Sequence, residues 1–167
     1  FMNYKLLMYS FSSIFYLFLS FYLIFKSLII LQINIKNIEL VILFLGSGIS
    51  YYAFERFSMT HVYEAFSGTL IFYFTARYYF DQKNNNNIAF LIPITILLGV
   101  LIRWVNYYFL FIPGIFYFLF HEKIPVKKLL RKNYYFVTSY ILSIVIFLLH
   151  TTYIYGRFTF DPRFVYT

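Results

Sequence analysis

No cysteine occurs anywhere in this chain of 167 residues. Disulfides, thiolate nucleophiles and thiolate metal ligands are therefore excluded, although the redox compartment stays undecided. Charge is nearly as scarce: Asp, Glu, Lys and Arg make up 12% of the residues, where a soluble domain carries about 25%. Also absent are a glycine-rich phosphate loop, a nucleophile elbow and any His, Asp and Glu spacing suited to a metal. Soluble-enzyme chemistry is thus not written here. No cofactor is readable, and a divalent metal stays open. The first apolar run lacks a small-residue cleavage signal and is followed by further apolar runs, so no targeting peptide is read either.

Apolar side chains fill the space, at 62% of residues and a mean hydropathy of +0.72. A soluble fold of this length has no interior large enough for them, so lipid is the expected solvent for much of the chain. The 24 Phe and 19 Tyr against a single Trp read as the base composition of an AT-rich gene and not as an aromatic site. The net charge of +8 does not point to nucleic acid. Its basic residues are dispersed at the ends of apolar runs instead of forming a stripe on a polar face. The chain opens at Phe1 and stops at Thr167 in a polar, aromatic stretch, and the expectation is a fragment cut at both ends.

A bilayer core takes roughly 20 apolar residues per helix, and on that measure the chain reads as an all-α, polytopic transmembrane bundle of about six membrane helices. They are expected near residues 6–25, 38–54, 59–80, 88–102, 104–120 and 134–152, all in one transmembrane domain spanning 1–167. Gly46, Ser47, Gly48 and Ser50 in the second run are small residues of the kind that let neighbouring helices approach. Asp81 to Asn87 reads as a solvated connector. Ile88 to Phe120 is apolar for 33 residues but is interrupted by Arg103, Trp104 and Asn106. Two shorter helices meeting at a membrane surface fit it, with kinks expected at Pro93 and Pro113. His121 to Asn133 is a basic loop with Leu129 and Leu130 on a short surface-lying helix.

Lys and Arg placement orients the bundle. With the 121–133 loop in the cytoplasm, nine of the 14 basic residues fall inside. Lys5, Arg56, Arg103, Arg157 and Arg163 fall outside. Arg56, His61, Glu64, Arg103, Asn106, Arg157, Asp161 and Arg163 then gather at one membrane face from four separate stretches. His61 and Glu64, spaced i, i+3, share a helix face. Ionisable groups at this depth line a cavity or find a partner, so the pair reads either as a site or as a seal between helices, with Arg56 or Arg103 as counter-ion. Arg103 matches phosphate geometry in a bidentate fork; the alternative is snorkelling to headgroups beside an interfacial Trp104. The tail with Arg157, Asp161 and Arg163 reads as a structured turn over the membrane or as a neutral solvated end.

Three segments carry a family resemblance. YYAFERFSMTHVYEAFSGTLIFYFTARYYF, Tyr51 to Phe80, resembles the part of GT-C type membrane glycosyltransferases where an outer-face loop with a His leads into a long helix. LGVLIRWVNYYFLF, Leu98 to Phe111, is similar to that superfamily's short helix ending in Arg, with Trp104 where Pro is commoner. IYGRFTFDPRFVYT resembles its outer Gly, aromatic and Pro segment. The resemblance implies a protein-mannosyltransferase-like or lipopolysaccharide-sugar-transferase-like enzyme of the bacterial cytoplasmic membrane. Such an enzyme passes a sugar from a polyprenyl phosphate to a glycan, lipid or protein acceptor at the extracytoplasmic face. It also implies a catalytic carboxylate upstream of Phe1. The residues read on their own fit that chemistry as a substrate-binding set: Arg103 is the first candidate to stabilise the departing phosphate, with Arg56 or Arg157 assisting, Asn106 one turn after Arg103, and His61 and Glu64 orienting the sugar or the acceptor. A transporter or flippase of lipid-linked sugars and a non-catalytic subunit of a membrane complex are the alternatives.

Overall fold

The computed structural model describes residues 4–56, 60–80, 86–120 and 134–157, and every described element is helical. The first apolar run becomes α1, Tyr4–Ile30. It ends in a Schellman cap: Ile33 N–H donates to Leu28 O at 2.9 Å and Gln32 N–H to Ile29 O at 3.1 Å. Gln32 takes the left-handed position of that cap, φ 58°, where glycine is usual.

The second expected helix is corrected: it is two pieces, α2 (Asn37–Gly46) and α3 (Gly48–Phe54), separated by Ser47 in extended conformation. Glu39 opens α2 by accepting the Lys36 N–H at 3.1 Å. At the break, Ser47 Oγ donates to Phe44 O at 2.9 Å and Ser50 Oγ donates to the same carbonyl. Two glycines of low helix propensity, with hydroxyls competing for a backbone carbonyl, account for the interruption. The expectation of close packing at these small residues is corrected too, since a Cβ at Gly46 or Gly48 would meet nothing within 4 Å.

The third run forms α4, His61–Phe80, with Glu64 in its first turn and Arg77 in its last, the charge order that suits the helix dipole. The fourth forms α5, Asn86–Ile102, which begins inside the asparagine run. Pro93 lies inside α5 and is buried. Ile88, Ile92, Ile96 and Val100 form an i, i+4 stripe that is buried with Ile71 and Phe109, and Phe74, Tyr140 and Phe147 pack against it.

The expected helix at 104–120 is corrected as well. Arg103 is extended, residues Trp104–Phe111 form a 3-10 helix (η1), and α-helix resumes only as α6, Ile112–Phe120. Pro113 explains the change of winding. It has no N–H to give Phe109 O, whose acceptor is instead used by Ile112 N–H in the tighter i−3 pattern. Pro113 therefore lies in the first turn of α6, where proline is tolerated, and does not kink a longer helix. The last run is α7, Tyr134–Tyr155, closed by Gly156 at φ 67° with its N–H on Thr152 O at 2.9 Å. The surface helix expected at 121–133 lies outside the described residues.

α4 is the hub. It packs along α1 on one side and α5 on the other, while α7 covers α5 and α6 leans on α4. Tyr140 Oη donates to Leu110 O at 2.7 Å and Tyr79 Oη to Pro113 O at 3.2 Å, tying α7 to η1 and α4 to α6. Two helices among the described residues have the length and apolar content to cross a bilayer: α1, at 27 residues, and the Val137–Tyr155 part of α7, at 19. A set of six spans is not what the helix lengths give. α2 and α3 are interrupted, α5 is 17 residues long, and η1 and α6 change winding between them.

Candidate functional site

The first turn of α4 and the end of α5 bring the candidate residues together. α4 begins after Thr60, whose carbonyl takes the Glu64 N–H at 2.9 Å and whose hydroxyl donates to Glu64 Oε1, also at 2.9 Å. One helical turn sets His61 and Glu64 on the same face, with Nδ1 of His61 3.4 Å from Glu64 Oε2. The imidazole also lies against the Tyr52 ring of α3, centroids 4.4 Å apart. From the other helix, Arg103 reaches across, its Nη1 3.4 Å from Glu64 Oε1. Glu64 thus stands between a hydroxyl, an imidazole and a guanidinium. Its side chain is 14% exposed, against 36% for His61 and 48% for Arg103.

Arg103 gets its position from the interruption between α5 and η1. Its own N–H still reaches back to Gly99 O at 3.3 Å, while its carbonyl accepts the first η1 bond from Asn106 N–H at 2.9 Å. The Asn106 side chain turns inward, 2% exposed, and its Nδ2 donates to Gly99 O at 3.0 Å. Asn106 therefore caps the end of α5 from inside the fold. It holds the turn that presents Arg103, and its amide is occupied by the backbone.

The turn is tightened by one close approach. A Cβ on Gly99 would come within 2.8 Å of Phe109 Cδ2 and 3.2 Å of Ser67 Oγ, and one on Gly68 within 3.3 Å of Phe109 Cζ. The Phe109 ring sits in a notch formed by two glycines, one on α4 and one on α5. Those glycines fix how near η1 comes to both helices.

Beside the cluster, between α1, α4 and α5, runs a groove of about 490 Å³ whose wall includes Tyr16, Thr60, Phe66, Leu70, Leu98 and Ile102. Its lining is mostly apolar. Thr60 belongs both to the groove and to the Glu64 contact, so the charged cluster stands at the groove's edge.

Of the expected site residues, His61, Glu64 and Arg103 are in direct contact, and Asn106 is one turn away in the interior. Arg56 is exposed just beyond α3, and Arg157 is exposed just beyond α7. Neither makes an ion pair among the described residues. Asp161 and Arg163 lie outside the described residues. Sequence reasoning passed over Thr60, Tyr52 and the two notch glycines. A hydroxyl directly before an apolar helix with a carboxylate four residues on was a readable cue for Thr60; nothing in the sequence singled out Gly68 and Gly99. Among the described residues no group of three or more His, Asp or Glu side chains is arranged to hold a metal. Comparison with family models, with curated proteins and with solved structures gave no match.

Proposed function

We propose that this chain belongs to a membrane-embedded glycosyltransferase of GT-C type, and that Arg103 at the edge of the groove receives the phosphate of a polyprenyl-linked sugar donor. The observation that carries the reading is a half-exposed guanidinium held by a single 3.4 Å ion pair to Glu64, next to two residues, Thr60 and Ile102, that line a mostly apolar groove between helices. A lipid with an anionic head asks for that combination: an apolar slot for the chain and a fixed cation for the head. Departure of the lipid phosphate from the sugar develops negative charge, which a preorganised cation in a partly dry site stabilises. His61 and the Thr60 hydroxyl are the neighbouring groups that orient sugar or acceptor. The acceptor is a glycan, lipid or protein at the extracytoplasmic face.

The membrane setting is supported by an inverted pattern of burial. In α1 the inward stripe includes Ser13, Ser20 and Ser27, while Phe11, Phe15, Phe18 and Tyr22 face out. α7 repeats it, with Ser139, Ser143 and Thr151 buried and Val137, Ile141, Val145 and Leu149 exposed. In water the large apolar side chains would be inside. Small hydroxylated residues at helix contacts and large apolar ones outside are the arrangement lipid favours. The shorter helices α4 and α5 complete the bundle on this reading, and the basic 121–133 loop faces the cytoplasm of a bacterial inner membrane.

The test is Arg103→Ala in the full-length protein, inserted at wild-type level, assayed for sugar transfer from a polyprenyl-phosphate donor. Loss on the order of a hundredfold is expected for removal of one preorganised charge, with Arg103→Lys between the two because it keeps the charge without the fork. Transfer at an unchanged rate in Arg103→Ala would assign the residue to the interface alone.

A further inference from the structure

Glu64 is placed to do something other than neutralise Arg103. Its Oε1 is shared between Thr60 Oγ1 at 2.9 Å and Arg103 Nη1 at 3.4 Å, while Oε2 faces His61 Nδ1 at 3.4 Å. The tightest of these contacts is the local one, from the residue that immediately precedes α4. The carboxylate is therefore anchored by Thr60 and would stay anchored if Arg103 let go. Arg103 touches it through one nitrogen only, and about half of its side chain is open to the surroundings. The remaining edge of the guanidinium is available to a second anion.

We infer that Glu64 is an internal competitor for the anionic headgroup: it occupies and aims Arg103 while the groove is empty, and is displaced when an alkyl phosphate seats its head on the guanidinium. This rests on the reading of Arg103 as the headgroup site and makes Glu64 a positioning and specificity-determining residue that acts through Arg103. A zwitterionic headgroup carries its own cation, gains less from the exchange and leaves the Glu64 pair in place. A monophosphate, with more negative charge than a carboxylate, takes the arginine. Thr60 sets the balance, because its hydroxyl shares the same carboxylate oxygen.

Equilibrium binding of radiolabelled hexadecyl phosphate to the purified full-length protein, with hexadecyl phosphocholine as the uncharged-balance control, separates the outcomes. Glu64→Gln keeps the shape and the Thr60 bond but removes the competing charge. It is expected to bind hexadecyl phosphate about threefold more tightly, the size of one part-exposed ion pair, with no change toward the phosphocholine. The gain must vanish in the Arg103→Ala background. Thr60→Val leaves the whole carboxylate to Arg103 and is expected to weaken phosphate binding by a similar factor, an effect that disappears when Glu64 is already Gln. Unchanged or weaker phosphate binding in Glu64→Gln, with Arg103→Ala still defective, overturns the competition and leaves the headgroup site standing. Wild-type binding in Arg103→Ala removes the headgroup site itself.

Discussion

Gly99 shows how much one hydrogen in place of a methyl group decides. Adding a Cβ there puts carbon 2.8 Å from the Phe109 ring, so Gly99→Ala must push η1 away from α5 and disturb the turn that carries Arg103. A loss of about 1–3 kcal/mol is expected from overpacking of this kind, read as a lower unfolding midpoint in detergent. Gly46→Ala is the control, because its Cβ would meet nothing within 4 Å and alanine is the better helix former. Equal midpoints for the two variants would contradict the notch. Asn106 is the second residue on which the turn depends. Replacing it with Leu removes the 3.0 Å bond to Gly99 O and leaves a buried carbonyl with one partner fewer, at a cost of about 1–3 kcal/mol. Because Asn106 acts by holding Arg103, hexadecyl phosphate binding should fall together with stability; loss of binding at full stability would instead place Asn106 in contact with the ligand.

At the scale of elements, the interruptions matter more than the helices. α2 and α3 are parted at Ser47, and α5, η1 and α6 are parted at Arg103 and Pro113. Each break sits where the sequence withdraws a backbone donor or offers a competing side chain. The second break is the one with a consequence, since it turns the chain back toward α4 and puts Arg103 within reach of Glu64. On the proposed membrane setting, the side on which this happens is open to direct measurement. The chain has no native cysteine, so single cysteines can be introduced without background. A cysteine replacing Lys128 should resist an impermeant maleimide in intact cells and react after lysis, while one replacing Arg157 should react in intact cells. The reverse pattern would turn the bundle over and move the cluster to the cytoplasmic face.

For the molecule as a whole, the surface is the distinguishing feature. Phe11 at 70% exposure, Phe118 at 75% and Leu149 at 62% are large side chains that water would drive inward. The protein is expected to stay with the membrane after alkaline carbonate washing and to require detergent for extraction; release by carbonate would mean that a partner protein, and not lipid, covers these faces. A truncation that removes α7 should expose the Ile88, Ile92 and Ile96 stripe that α7 covers. The remaining piece is then expected to be degraded faster than the full chain, measured as half-life after synthesis is blocked.

Much of the fold was legible because apolar helices are announced by composition over a run of residues, a local property. The runs at 6–25, 59–80, 88–102 and 134–152 became α1, α4, α5 and α7 with ends moved by a few residues. The i, i+3 spacing of His61 and Glu64 likewise follows from helix geometry alone, and the lone Arg103 in an apolar stretch stood out against its background. The interruption at Arg103 was legible as polar residues in an apolar run, and Pro113 as a proline in it, although its change of winding was not. The break at Ser47 was hidden, because helix propensity sums over a window and that break comes from diverted hydrogen bonds at one carbonyl. Which charges meet was decided by tertiary structure. Arg56 stood beside Arg103 in the sequence as a possible counter-ion for Glu64, yet of the two it is Arg103 that pairs with Glu64, where the Phe109 ring seated against Gly68 and Gly99 holds η1 close to α4 and α5. Burial was likewise set by the packing: whether a serine or a phenylalanine of α1 faces inward depends on which neighbour lies alongside, and that is a property of the assembled helices.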